Sequence, residues 1–349
     1  MRPELFKLPF VNITIKSYGA MMVVGFLCAL YLARWRARKL KENPLNIANF
    51  AVYILLAGVV GARIMHVIHN FSDYRDNLWE VLMVWRGGLE FIGGVICATL
   101  VMVIYSRRMK LPVLKYLDIL APAVMLGLAF GRIGCLLNGC CFGQPSNLPW
   151  AIRFPALNTH ITQNGPELRY SIPYLYQLTP DEQRPDIPKL DDVLTPDFYE
   201  YYYIRPDQRF LNVDYFSKDD LSPEELKNCS LTRPKPLSQL TEEQIQDLKN
   251  NKYPMHKIHP AQIYSSLNAL VLCLFLNFLF KFYKFPGQII AYMLIFYGIT
   301  RFLLEMLRCE PFLIDSLTAS QAIGILAVVV GVILLLFMSR RSKVQISQS

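Results

Sequence analysis

Long apolar runs alternate with short basic clusters along this chain. The first run, Tyr18 to Ala33, is followed by Arg34, Arg36, Arg38, Lys39 and Lys41. A second extends from about Phe50 to Ile68. A third ends at Tyr105, ahead of Arg107, Arg108, Lys110 and Lys115. Asp118, Ala121 and Pro122 open a fourth, with Pro122 read as lying near a helix start. After a long polar interval a fifth run reaches about Phe280, before Lys281 and Lys284. A sixth starts at Gln288, and a seventh covers about Leu317 to Phe337 before Arg340, Arg341 and Lys343. A helix needs roughly 17–25 apolar residues to cross a bilayer, and basic residues stay on the cytoplasmic side. The pattern therefore predicts an all-α integral membrane protein with seven transmembrane helices. Its N-terminus lies outside, its C-terminus inside, and an extracytoplasmic insert separates the fourth and fifth helices. Residues 1–143 carry helices one to four, 144–256 the insert, and 257–349 helices five to seven.

Composition agrees. Of 349 residues, 53% are hydrophobic and 18% charged, too apolar for an ordinary soluble domain. The net charge of +9 does not indicate nucleic acid, because the basic residues follow the apolar runs. Residues 1–16 read as an exposed lead-in. The first run lacks a basic leader and a small-residue cleavage site, so it reads as a retained helix. The insert is rich in Pro, Asp, Glu, Lys, Gln and Tyr. Within it, Thr241-Glu242-Glu243-Gln244 has a capping pattern that predicts a helix start, and Tyr201-Tyr202-Tyr203-Ile204 predicts a strand. Asp191 to Asp197, Pro206 to Arg209 and Ser222 to Asn228 carry turn or cap signals. Asn228-Cys229-Ser230 matches a glycosylation triplet of a kind common by chance.

Candidate chemistry centres on Gly131-Arg132-Ile133-Gly134-Cys135-Leu136-Leu137-Asn138-Gly139-Cys140-Cys141-Phe142-Gly143. An arginine at the centre of a lipid-exposed helix costs about 2.5–3.5 kcal/mol, so it needs a partner or a polar cavity. One reading is a pocket for an anionic headgroup at the membrane face. The plainer one is a packing segment whose arginine snorkels to the interface. Tyr297, Arg301, Glu305 and Arg308 are spaced four, four and three, which puts them in one helical stripe. That stripe is either a self-neutralising ion-pair row or a headgroup wall. Arg63, His66 and His69 fall in and near the end of the second run, where interfacial anchoring is the ordinary role. Glycines at 87, 88, 93 and 94 around Glu90 suggest a tight, non-helical entry to the third helix. Cys28, Cys97 and Cys273 read as small hydrophobes. No CxxC pair or zinc-type spacing appears, which argues against a structural metal site.

These pieces together resemble prolipoprotein diacylglyceryl transferase, a bacterial family that begins lipoprotein maturation. The resemblance rests on order and spacing: Tyr18-Gly19, Gly87-Gly88-Leu89 with Gly93-Gly94, and Asp118 with Ala121-Pro122. It continues through Gly131-Arg132-Ile133-Gly134 with Asn138-Gly139 and Gly143, then Trp150 with Phe154-Pro155. His259-Pro260 with Gln262 and Tyr264, and Tyr297-Gly298 with Arg301, Phe302, Glu305 and Arg308, complete it. The resemblance implies transfer of diacylglycerol from phosphatidylglycerol to the lipobox cysteine of a prolipoprotein in the bacterial plasma membrane, with membrane lipids as surroundings and no cofactor. It implies Arg132 and Arg301 at the lipid phosphate, with Tyr297 and His259 completing the catalytic set. Tyr18, Asn138, Gly143, Glu305, Arg308, Cys135 and Cys140 are the implied substrate-binding residues.

Three positions depart from the family pattern. Ile92 stands where a histidine is usual, Cys135 where an asparagine is, and Cys140 where a glutamate is. Since the attacking species is a thiolate, loss of the histidine removes one candidate base; His259, Glu90 or a cysteine are the candidates to replace it. Two other functions remain open from sequence. One is a membrane thiol–disulfide enzyme using Cys135, Cys140 and Cys141; the other is a non-catalytic phospholipid-binding relative.

Overall fold

A computed structural model of the chain describes residues 4–7, 14–75, 78–82, 90–144, 146–162, 165–170, 199–202, 231–234, 237–250, 257–308, 312–314 and 317–347. Among the described residues, eight helices of eight or more residues carry the architecture: α1 Ser17–Lys39, α2 Pro44–His69, α3 Phe91–Arg108, α4 Val113–Asn138, α5 Glu242–Lys249, α6 Ala261–Leu279, α7 Gln288–Glu305 and α8 Ala319–Ser347. Among the described residues, α1, α2, α4, α6 with its short extension to Phe282, α7 and α8 are long and apolar enough to cross a membrane. The third apolar run forms α3, an 18-residue helix that is not one of these six. Among the described residues, four two-stranded antiparallel ribbons qualify the purely helical expectation: Glu4–Lys7 (β1) with Thr14–Lys16 (β2), Leu157–Thr162 (β3) with Gly165–Tyr170 (β4), Tyr199–Tyr202 (β5) with Leu231–Pro234 (β6), and Phe312–Ile314 (β7) with Leu317–Thr318 (β8).

The chain forms two compact units. One comprises Met1–Val23, Phe130–Leu267 and Leu303–Thr318; the other comprises Val24–Ala129, Asn268–Phe302 and Ala319–Ser349.

In the second unit, α2 and α3 pack at glycine-to-glycine distance. A methyl group added at Gly61 would lie 2.4 Å from the Gly93 carbonyl oxygen, and one at Gly93 would lie 2.4 Å from that of Gly61. Small residues let helix backbones approach this closely in a membrane. Gly93 and Gly94 are thus inside α3, and only the extended Glu90 precedes the helix. This corrects the non-helical entry as far as it is described; residues 86–89 lie outside the described residues. Pro122 also differs from expectation. It falls inside α4, where it withholds an N–H from the helical ladder. Asp118, fully buried, accepts from the Gly287 N–H at 2.7 Å, the Ile290 N–H at 2.8 Å and the Tyr283 hydroxyl at 3.0 Å. An anion at the start of α7 suits the positive end of the helix dipole. Arg36 donates to the Asn277 side chain, and its guanidinium lies 4.3 Å from the Phe280 ring centroid. The helix α1 therefore runs past Ala33 through its basic cluster.

In the first unit, the described part of the insert has its own apolar core of Phe154, Ala156, Leu240, Leu248 and Ile258, with Leu136 and Phe142 packed against it. The capping pattern of α5 is realised in full. Thr241 Oγ1 accepts from the Gln244 N–H at 3.3 Å, and Gln244 Oε1 accepts from the Thr241 N–H at 2.9 Å. The strand expected at Tyr201 forms as β5, which is paired with β6. The turn signals at 191–197, 206–209 and 222–228 and the Asn228 triplet lie outside the described residues.

Candidate active site

The arginine–cysteine stretch sits at the end of α4, in the first unit. Gly134 explains how α1 reaches it. A methyl group there would lie 3.1 Å from the Tyr18 ring and 3.2 Å from Met21 Cβ, so the glycine admits Tyr18 against α4. Beyond Asn138 the chain turns through two left-handed residues, Gly139 at φ 73° and Cys141 at φ 58°. It then runs extended into Gly143, which pairs with Arg308.

Three distant segments cross at that glycine. The Gly143 N–H donates to the His259 carbonyl at 3.1 Å, the Gln144 N–H to the Leu307 carbonyl at 2.9 Å, and the His259 N–H to the Gln144 carbonyl at 2.9 Å. A methyl group at Gly143 would stand 2.6 Å from His259 Cβ and 2.8 Å from the Leu307 oxygen, closer than side chains pack. The absence of a side chain is what lets the segments meet.

Arg132 lines a cavity of about 210 Å³ with Ile133, Leu136, Gln262, Ile263 and Ser266. Gln262 is 1% exposed; its Nε2 donates to the Cys140 carbonyl at 2.9 Å. Its Oε1 has no hydrogen-bond partner among the described residues. Buried acceptors are normally satisfied, and this one is shielded from the cavity, whose accessible lining is apolar. The sequence shows Gln262 in His-Pro-x-Gln without marking it as a site residue. The signal was a polar side chain at the head of an apolar run.

Sequence spacing put Arg308 in a helical stripe with Tyr297, Arg301 and Glu305. The structure corrects this. The helix α7 stops at Glu305, and Arg308 lies in the extended pairing with Gly143. The Arg308 N–H still closes a turn onto the Glu305 carbonyl at 3.0 Å, but strand pairing then takes the chain out of helical register. Glu305 and Arg308, 3% and 6% exposed, face each other at 3.4 Å, and the Thr318 hydroxyl donates to the other Glu305 oxygen at 3.3 Å. His259 Nδ1 lies 3.4 Å from the Tyr264 hydroxyl, which accepts from Trp150 Nε1 at 2.7 Å.

The Sγ atoms of Cys135, Cys140 and Cys141 all lie within 4.8 Å of one another, and all three are unpaired thiols. Spacing along the chain concealed this, because the turn at Gly139 and Cys141 supplies the convergence. The Cys141 thiol is held well below the ordinary thiol range. Hydrogen bonds from the Cys135 and Cys140 thiols favour its thiolate, and the Arg308 and Arg132 guanidinium charges add to this against the opposing effect of burial. The Asn138 side chain hydrogen-bonds the Cys140 thiol.

Tyr297 and Arg301 belong to the second unit. Arg301 donates to the Ser320 hydroxyl at 2.6 Å, and Tyr297 packs against the core of Leu272, Leu276 and Ile289. The neighbouring Gly298 allows α7 and α8 to touch, since a methyl group there would lie 2.5 Å from the Gly324 oxygen. The earlier histidines also acquire a partner: His69 Nδ1 lies 2.7 Å and His66 Nδ1 3.7 Å from Glu90. Arg63 Nε donates to the Val81 carbonyl at 2.8 Å.

A family model described as prolipoprotein diacylglyceryl transferase matches residues 3–337. The chain belongs to this family. A phosphatidylglycerol--prolipoprotein diacylglyceryl transferase from Clostridium tetani is 35% identical over 154 residues, 44% of this chain and 61% of that protein. One from Trichormus variabilis is 30% identical over 143 residues, 41% and 51% of the two chains. The match to the Finegoldia magna protein of the same name is 26% identical over 324 residues, 93% and 91% of the two chains. The chain thus spans about half to three fifths of the length of the first two relatives and nearly all of the third. The departures expected from the sequence are Ile92, Cys135 and Cys140. Two of the three fall in the sulfur cluster.

Proposed function

We propose that this chain transfers the diacylglyceryl group of phosphatidylglycerol to the lipobox cysteine thiol of prolipoproteins in the bacterial plasma membrane. The observation that carries the reading is the cavity that Arg132 and Gln262 line together, in a chain matched to the family over 3–337. Arg132 and Arg301 hold the lipid phosphate, since a guanidinium fork binds its oxygens bidentately. They also stabilise glycerol phosphate as it leaves. His259 and Tyr297 complete the catalytic group. Tyr18, Asn138, Gly143, Glu305, Arg308, Cys135 and Cys140 shape the substrate site. The chain crosses the membrane seven times, with α3 as the added crossing, its N-terminus outside and its C-terminus inside. Support comes from the basic clusters after Ala33, Tyr105, Phe280 and Phe337. Residues 144–256 form the outer insert.

The test is mass spectrometry of a lipobox peptide incubated with the purified chain and phosphatidylglycerol, with Arg132→Ala alongside. A diacylglyceryl mass gain that Arg132→Ala loses is expected; no gain from folded protein would overturn the reading. One observation favours a second reading, thiol–disulfide exchange: three thiols sit within 4.8 Å. Redox-state trapping decides it, because exchange requires Cys135, Cys140 or Cys141 to cycle between thiol and disulfide.

A further inference from the structure

Phosphate binding gives no role to Cys141 and no reason for its sulfur to join those of Cys135 and Cys140. Cys135 closes the last turns of α4, while Cys140 and Cys141 follow beyond the Gly139 turn. Neighbouring side chains ordinarily diverge. Here Cys141 adopts φ 58°, a left-handed conformation that non-glycine residues rarely take, and all three sulfurs lie within 4.8 Å of one another. Backbone outliers of this kind cluster at functional sites. A tetrahedral zinc ion with Zn–S bonds of about 2.3 Å holds its sulfurs roughly 3.8 Å apart. The trio therefore needs to contract by about 1 Å at most, within reach of side-chain rotation. The second, independent observation is Gln262. It is fixed to the Cys140 carbonyl, is 1% exposed, and has an Oε1 with no hydrogen-bond partner among the described residues. The sulfur cluster is thus tied, through the Cys140 carbonyl, to a buried side chain whose acceptor is unmet.

We propose that Cys135, Cys140 and Cys141 form a three-sulfur zinc site whose fourth position takes the thiol of the substrate cysteine. The proposal rests on the diacylglyceryl-transfer reading. Thiolate-rich sites select soft cations such as zinc, and zinc sites that do chemistry keep three protein ligands and one open position. A thiol coordinated to zinc is deprotonated outright, which supplies the nucleophile that Ile92 leaves without the usual histidine. Three thiolates and one zinc ion carry a net negative charge, which Arg132 and Arg308, both close enough to act on Cys141, offset. In the step itself, the lipobox thiol releases its proton to water on binding. Its sulfur lone pair attacks the diacylglyceryl carbon that bears the phosphate ester. The C–S bond forms as that C–O bond breaks, and glycerol phosphate departs with the C–O electron pair. No oxidant or reductant takes part.

The test uses the full chain, purified in detergent under reducing conditions, loaded with zinc and dialysed. Metal content is measured by mass spectrometry. About one zinc per chain is expected, falling at least about tenfold in Cys135→Ser, Cys140→Ser and Cys141→Ser and unchanged in Cys28→Ser. Cobalt substitution then reads the fourth position. Its thiolate charge-transfer band should intensify on adding a lipobox peptide, and not on adding the same peptide with serine for cysteine. The wild-type titration needs no variant to fold. Absence of stoichiometric zinc from reduced protein, copper in its place, a Cys135–Cys140 disulfide, or a cobalt band indifferent to the peptide would each overturn the proposal. These readouts need no phospholipid, so they separate the two claims. Transfer that continues undiminished after chelation removes zinc sinks the zinc site alone. A zinc site without transfer sinks the activity alone.

Discussion

Glu305 and Arg308 are almost wholly shielded from water and 3.4 Å apart. Such a pair adds little net stability over an apolar one, but removing one member leaves a buried charge short of its counterion, at a cost of about 3–5 kcal/mol. Glu305→Ala is expected to lower the thermal unfolding midpoint in detergent sharply. Glu305→Gln should lower it less, because the amide oxygen still accepts from Thr318. Equal midpoints for the three proteins would show that the pair is solvated. Tyr283 offers a pH test. Burial, then the Asp118 carboxylate, push its phenol well above the usual tyrosine range. A raised folded-state value means that the native chain holds this proton more tightly than the unfolded chain, whose tyrosines titrate near about pH 10. The contribution is therefore complete below about pH 10 and is lost as pH rises through the folded value. The decline of unfolding midpoint above pH 10 should be steeper for the wild type than for Tyr283→Phe, and matching slopes would refute this.

The crossing at Gly143 is the element-scale counterpart. A methyl group there meets His259 and Leu307 from two other segments, and overpacking of this sort costs about 1–3 kcal/mol. Gly143→Ala should lower the unfolding midpoint and increase protease cleavage near residues 257–260, while leaving helix content by circular dichroism unchanged. A loss of helix instead would mean that the crossing supports the whole chain. The crossing also marks what sequence could and could not reveal. The membrane-length helices were legible because apolar runs of the right length announce them, and the α5 start was legible because Thr241 and Gln244 are local partners. Arg308 was misassigned because a spacing of three after Glu305 fits a helix. Only pairing with a segment 164 residues away, where Gln144 Nε2 reaches the Arg308 carbonyl, removes it from one. The sulfur trio was hidden for a related reason, since left-handed backbone at Cys141 leaves no periodic trace.

At the scale of the whole molecule, α3 decides the topology. Its 18 residues include the glycine seam with α2 and end in Arg107 and Arg108. Basic residues at that end place it on the cytoplasmic side if the helix crosses. In intact spheroplasts a membrane-impermeant maleimide should label Lys249→Cys directly and Lys110→Cys only after permeabilisation, scored by mass spectrometry at each site. Direct labelling of Lys110→Cys, with Lys249→Cys labelled only after permeabilisation, would mean that α3 does not cross and would reverse the order of everything after it.

The joining of Gly143, His259 and Leu307 also sets a clock during synthesis. The ribosome delivers residues at about 5–20 per second, so the 143 segment waits many seconds for its last partner. A nascent chain short of residue 308 has threaded most of its helices into the bilayer but lacks the backbone clasp that closes the site. Products that stop before residue 308 should therefore stay in the membrane without this junction, and be cut by proteases faster than the full chain.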